Sequence, residues 1–386
     1  AALECTGRFA LDGRVPELWD KLAGLYRCGD GRWVRLHTNF AHHRDGVLRL
    51  LGLPIGPDTA REPVTAALLQ HDALAFEQAA ADAGLVVAAL RNFDEWDRHP
   101  QRDAVARDPL VAIERLGDAP PLAWPALAHE ERPLHGLRVL DLTRILAGPV
   151  GGRTLAAYGA DVMLVNSPHL PNIEAIADTS RGKRSALCDL RDAGGREALR
   201  AVLRDAHVFV QGYRPGSLAA LGFGPQELAA ARPGIVAVSL SAYGERGPWA
   251  GRRGFDSLVQ SATGFNLAEA QAMGSSEPKA LPVQILDMAT GFLIAFGAQA
   301  ALLRQRAEGG SWHVRVCLAR TAQWLRELDR VDTGAAAPAL DLASTMQTAP
   351  SGYGLLSAMP HAALFSHTPA GWSRPSVPPG TDALAW

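Results

Sequence analysis

From Gly136 onward, short apolar runs alternate with stretches of helical spacing. "LRVLDL", "DVMLV", "HVFVQ" and "GIVAVSL" are apolar at nearly every position, and "RSALCDL" fits a further strand. Between them lie "AGPVGGRTLAAYGA" and "DAGGREALRAVLRDA", which suit helices. Strands joined through helices pair in parallel with right-handed crossovers. The pattern predicts a doubly wound, mainly parallel, Rossmann-like α/β sheet over residues 136–332. A long apolar helix, a late strand "WHVRVCL" and a helix "RTAQWLREL" close that unit.

A different pattern precedes it. "GLYRCGDGRWVRLHTNF" reads as a β-hairpin turning at Asp30-Gly31. "REPVTAALLQHDALAFEQAAADAGL" has helical spacing and stops at Gly84, and "VVAALRNFDEWDRHPQ" gives a strand and then an acidic helix start. Residues 1–118 therefore form a smaller α+β domain. Residues 119–135 are a proline-rich linker. Residues 333–386, rich in Ala, Pro and Ser, form a C-terminal arm.

The 386 residues carry a formal charge of −2 and are 47% hydrophobic. Near neutrality argues against nucleic acid or an anionic membrane as partner. The longest apolar run, Gly291–Leu303, is shorter than the roughly 18 residues of a membrane span and reads as a buried helix. The opening "AALECTGRFALDGRV" does not read as a signal peptide. Cys5, Cys28, Cys188 and Cys317 form no CxxC pair, which suits a reduced, cytoplasmic protein.

Candidate chemistry sits in the loops. "LDLTRILAGPVGG" is the first strand-to-helix turn, where doubly wound folds bind ligands. Its glycines do not make a dinucleotide fingerprint, and Asn166 stands where a ribose-binding acid would. A structural turn and a phosphate cradle both fit. Arg181, Lys183, Arg184 and Arg191 are a charged face or an anion site. His37, His42 and His43 match no metal-ligand spacing and read as structural or surface residues. There is no nucleophile-elbow motif. In "LPVQILDMATGF", Asp287 precedes a long apolar helix, where a carboxylate is ordinarily a cap.

Five ordered blocks change that reading. "RPLHGLRVLDLTRILAGPVGGRTLAAYGADVMLV", "GKRSALCDLRDAGGREALRAVL", "VFVQGYRPGSLAALGFG", "IVAVSLSAYGERGPWAGRRGFDSLVQSATGF" and "LPVQILDMATGFLIAFGAQAALLRQRAEGGSWHVRVCL" resemble the family III CoA-transferases, the CaiB/BaiF group. The resemblance implies acyl-CoA and carboxylic acid substrates, coenzyme A as co-substrate, no metal and a homodimer. It implies Asp287 as nucleophile, and contacts to CoA from Ile145, Ala147, Arg191, Tyr213, Arg253 and Asp256. Leu146 and Ser167 depart from residues of formyl-CoA transferase, which disfavours oxalate or formate. Racemases of the same fold use a His where this chain has Phe255, so an acyl-CoA racemase or isomerase is the second reading. A CoA-binding subunit without catalysis is the third. The small-domain-like pieces lie ahead of the sheet, where the family places them later, so a rearranged or trimmed chain is expected.

Overall fold

The computed structural model describes residues 8–328 and 343–386, apart from Pro125 and Glu130, together with Val331 and Pro338. Cys5 and most of the predicted arm over 333–342 lie outside the described residues. The leading unit holds β1 (Ala10–Leu11), β2 (Gly24–Arg27), β3 (Trp33–Leu36), α1 (Ala41–Leu50), α2 (Arg61–Leu68), α3 (Ala73–Asp82), β4 (Val87–Ala89), α4 (Phe93–Asp97), α5 (Pro100–Ala106) and β5 (Ala112–Gly117). Then come β6 (Arg138–Leu142), α6 (Ala147–Ala157), β7 (Asp161–Asn166), α7 (Ile176–Thr179), β8 (Lys183–Leu187), α8 (Ala193–Leu203), β9 (Val208–Gln211), α9 (Pro225–Ala231) and β10 (Val236–Ser241). The chain continues through α10 (Asp256–Ala262), α11 (Phe265–Ala272), α12 (Ile285–Glu308), β11 (Ser311–Cys317) and α13 (Leu318–Glu327), and ends in β12 (Gln347–Ser351) and β13 (Gly354–Ala358).

In the leading unit, β2, β3 and β4 form an antiparallel sheet whose hairpin turns at the expected Asp30-Gly31. The single helix expected up to Gly84 is two. Asp72 breaks it because its carboxylate accepts the N–H of Ala75 and starts a new helix. Asn92 and Glu95 cap α4 reciprocally, which makes the acidic start a capping box.

The main sheet has the order β5-β11-β10-β9-β6-β7-β8. All pairs are parallel except β5 with β11. Alternate residues of each strand feed two cores. Val139, Val208 and Val236 pack under α6 and α12, while Leu140, Phe209 and Ala237 pack under α8 and α9. Burial on both faces explains the continuous apolar runs. The domain boundary expected at residue 118 moves, because β5 is an edge strand of the main sheet. The linker is fastened to the end of α12: Gln305 accepts the Leu122 N–H at 3.1 Å and donates to the Pro120 carbonyl at 2.9 Å. The arm is more regular than composition suggested, since β12 and β13 form a hairpin that pairs with β1. At 24 residues, α12 is long and apolar enough to cross a membrane, yet half of its residues, including Ile294, Ala298 and Leu302, are buried in the protein core.

The glycines of "AGPVGGRT" are explained by packing. A side chain at Gly148 would strike Thr143, one at Gly151 would strike Ile294 of α12, and one at Gly152 would strike the Asp141 carboxylate. Gly291 answers them from α12, where an added carbon would lie 2.7 Å from the Ala147 carbonyl oxygen and from Val150. The two helices meet almost backbone to backbone. Beneath them Lys183 donates to Asp141 Oδ2 and to the Pro149 carbonyl, both at 2.8 Å, with no solvent contact for either charged side chain. Burial pulls the Lys183 pKa down, and Asp141 opposes that pull. The expected arginine-lysine cluster is thereby divided. Lys183 is internal, while Arg181, Arg184 and Arg191 pair with Asp178, Asp161 and Asp189 respectively. Lys183→Met should cost about 3–5 kcal/mol in urea denaturation, because Asp141 would remain buried without its cation. An unchanged midpoint would refute that assignment.

Candidate active site

The loops that follow β6, β9, β10 and β11 end at one edge of the main sheet, as a doubly wound fold requires of a binding crevice. There they line a cavity of about 350 Å³. Arg144 to Ala147 come from the turn into α6, Gly212 to Pro215 from the turn after β9, and Arg252 to Phe255 from the loop after β10. The start of α1 supplies Phe40, His42 and His43 from the leading unit. The cavity therefore lies between the two units. Their shared apolar contact puts Val86, Ala88 and Trp96 against Tyr243, Leu258 and Leu286.

Asp287 is the one carboxylate among the described residues that line this cavity. It is 6% exposed and occupies the first turn of α12, which begins at Ile285. The cap reading fails for a physical reason: another residue performs that task. Asp256, at the start of α10, accepts the Asp287 N–H on Oδ2 at 2.8 Å. Its Oδ1 accepts from the Gln260 side chain. A helix N-terminus needs acceptors for its free N–H groups, and here they come from a different helix. Asp256 is fully buried and is absent from the cavity wall. It lies behind Asp287 and holds its backbone.

Two buried carboxyl groups this close resist joint ionisation. Burial pushes the Asp256 pKa up to about 7, against the pull of the Asp287 N–H, Gln260, the Leu286 N–H and Arg35. Burial, and then the charge of Asp256, pushes Asp287 well above the usual carboxylate range.

Of the other residues singled out from sequence, Ile145, Ala147, Tyr213 and Arg253 line the cavity with Asp287. Arg191 does not. It is exposed in the loop between β8 and α8 and clasps Asp189 through Nε and Nη2. Ile145 has φ of 75°, a left-handed conformation that costs a branched residue roughly 1–2 kcal/mol. Such outliers gather where a loop is held for binding.

Arg144, Arg214 and Arg252 also line the cavity, although the sequence does not assign them to the site. Among the described residues, Arg144, Arg214 and Arg253 line the cavity without a carboxylate partner. Arg144 instead donates to the Pro171 carbonyl. Burial lowers the pKa of both Arg144 and Arg253. The lone signal for Arg214 was its place in a Pro-Gly turn after a buried strand. The "LHTNFAHHRD" histidines read as structural or surface residues, and for His37 the structural reading holds: it is buried and stacked on Phe255, ring centroids 4.0 Å apart. His42 and His43 reach the cavity because α1 turns them toward it. Among the described residues no group of three His, Cys, Asp or Glu side chains has the geometry of a metal site. Four arginines, of which Arg252 is paired with Glu77, one carboxylate and largely apolar walls suit an anionic ligand with an apolar part.

Comparison with known proteins gives this geometry a context. Residues 134–354 match the family model described as CoA-transferase family III. An "Acyl-CoA transferase" of Gibberella moniliformis is 32% identical over 345 residues, 82% of this chain and 60% of that protein. "Acetyl-coenzyme A transferase nodX" of Hypoxylon pulicicidum is 31% identical over 323 residues, 79% of this chain and 54% of that protein. A crystal structure of a hypothetical protein from Mycobacterium tuberculosis is 32% identical with a TM-score of 0.45, covering 51% of this chain and 58% of that one. The chain thus spans about three-fifths or less of the length of these relatives. An alignment covering 82% of the chain cannot be contained in residues 134–386, so it reaches into the leading unit.

The carboxylate pair has a measurable consequence. An acid whose pKa is raised on folding contributes stability below its unfolded value of about 4, and that contribution is lost as pH rises through the folded value. For Asp256 the window runs from about 4 to about 7. Asp256→Asn keeps an oxygen for the Asp287 N–H and removes one charge. Its melting temperature should gain on the wild type by a few degrees between pH 5 and pH 8. A constant difference across that range would show that the pair is not strained by charge.

Proposed function

We propose, for a chain that belongs to the CoA-transferase family III, that it moves CoA from an acyl-CoA to a carboxylic acid through a covalent intermediate on Asp287. One observation carries this reading: among the described residues Asp287 is the sole carboxylate that lines a cavity rich in arginines and apolar groups. Its carboxylate attacks the thioester carbonyl carbon, and the C–S bond breaks, giving a mixed anhydride and CoA thiolate. The thiolate attacks the aspartyl carbonyl and releases the first acid, leaving an aspartyl-CoA thioester. The incoming acid takes the CoA by the reverse steps. No oxidant is consumed, and the leaving groups are of similar quality, so no step runs far downhill. The hydrogen bond from the Asp287 N–H to Asp256 holds Asp287 in place for the attack.

Coenzyme A fits the residues present. Arg144, Arg214 and Arg253 offer guanidinium groups to its phosphates. Leu146, Phe255 and Phe40 give the acyl end an apolar wall, which supports a less polar acid than oxalate or formate. Phe255 cannot move a proton, so a two-base racemase is the weaker reading. The free thiols of Cys28, Cys188 and Cys317 support a reducing cytoplasm. The exposed Phe296 and Leu303 on α12 support a homodimer.

The test is exchange of ¹³C-labelled acids into acetyl-, butyryl- and benzoyl-CoA, followed by mass spectrometry. Asp287→Ala should abolish exchange while CoA still binds. Hydroxylamine added to wild type with acyl-CoA should leave a hydroxamate on Asp287. Exchange at the wild-type rate in Asp287→Ala would overturn the mechanism.

A further inference from the structure

Ile145 and Leu146 form a partition. Both line the cavity, and both also pack into a separate apolar cluster behind it. Among the described residues no other side chain is shared by the two. The partition stands beside the nucleophile. Asp287 lies one turn before Gly291 on the same face of α12, and a carbon added to Gly291 would lie 2.7 Å from the carbonyl oxygen of Ala147, the next residue in the partition loop. The cluster behind is assembled from segments far apart in the chain. Phe9 precedes β1, Leu356 and Ala358 come from β13, and Ala175 and Ala177 come from the turn that forms α7. None of these five is more than 5% exposed, and Phe9 has the largest side chain. Pairing of Ala10 with Ser357, and a hydrogen bond of 2.8 Å from the Leu355 N–H to Asp12 Oδ1, fix β1 on β13. Ile145 keeps its left-handed φ of 75° against this backing, a conformation that persists where the surroundings impose it.

We propose that Phe9 is a positioning residue that sets the size of the acyl group accepted beside Asp287, acting through Ile145 and Leu146. This rests on the transferase reading above and adds to it what limits the substrate. Phe9 touches neither substrate nor reacting atoms. A close-packed cluster passes a change of volume on to its neighbours. On its other sides this cluster is backed by β1, β13 and α7, whereas the partition has an open cavity of about 350 Å³ in front of it. Displacement therefore goes into the cavity or out of it. With the Phe9 ring removed, Ile145 and Leu146 settle back part of the way, and the cavity deepens at its apolar wall. With bulk added at Ala358, they move forward, and the same wall closes in.

Wild type, Phe9→Ala, Phe9→Leu and Ala358→Leu are compared in exchange between an acyl-CoA and its own ¹³C-labelled acid, using acetyl, butyryl and benzoyl pairs. The readout is the ratio of kcat/KM for the larger pairs to that for acetyl. A merely structural role would not move it, because loss of folded enzyme lowers every pair in proportion. Phe9→Ala should raise the ratio about tenfold, Phe9→Leu should raise it about threefold, and Ala358→Leu should lower it about tenfold. Ratios within about twofold of wild type in Phe9→Ala and Ala358→Leu overturn the proposal, as does a shift of both in the same direction. If Phe9→Ala fails to fold, the opposite signs expected of Phe9→Leu and Ala358→Leu decide the matter. Asp287→Ala separates the two ideas: if it is inactive while the ratios stay at the wild-type value, the transferase reading stands and this one falls. If Asp287→Ala retains full activity, or wild type exchanges none of the pairs, both fall.

Discussion

The buried pair of Lys183 and Asp141 ties β8 to β6 across the strand between them, and through the Pro149 carbonyl it also fixes the first turn of α6. One wall of the cavity depends on that turn. Ile145 and Ala147 project from it, and α12 lies against its glycines. An ion pair with no solvent contact is a poor source of net stability, because removing two charges from water costs about what their attraction returns. Its value is geometric. Breaking it leaves one buried charge, so the strands and the helix hold a single arrangement.

Asp287 inherits its place from this arrangement and from a second carboxylate. α12 is set at its glycine end by α6 and at its N-terminus by Asp256. Asp256 acts on both the position and the charge of Asp287. Its hydrogen bond fixes the backbone, and its charge adds to the burial that raises the pKa.

The main sheet was legible because strands buried on both faces leave continuous apolar runs that no other environment produces so readily. The ordered blocks of sequence drew attention to Asp287, which does line the cavity, although its neighbours in sequence suggested a cap. The role of Asp256 was hidden because the partner it caps lies 31 residues away in the chain. Lys183 looked like one of four surface cations, and nothing local to it reveals that Asp141 waits beneath α6. His43 and Arg214 were obscured for the same reason. Each belongs to an unremarkable local pattern and acquires meaning when α1 and the β9 loop arrive at one edge of the sheet.

The small sheet in which β1 pairs with β13 brings residue Ala10 beside Ser357. Segments far apart in sequence are thus neighbours in space, and segments so placed can exchange their order along the chain without disturbing what they touch. The loop of chain between β1 and β13 runs through both units, so this small sheet closes a ring around them, and strand and hairpin are held or lost together.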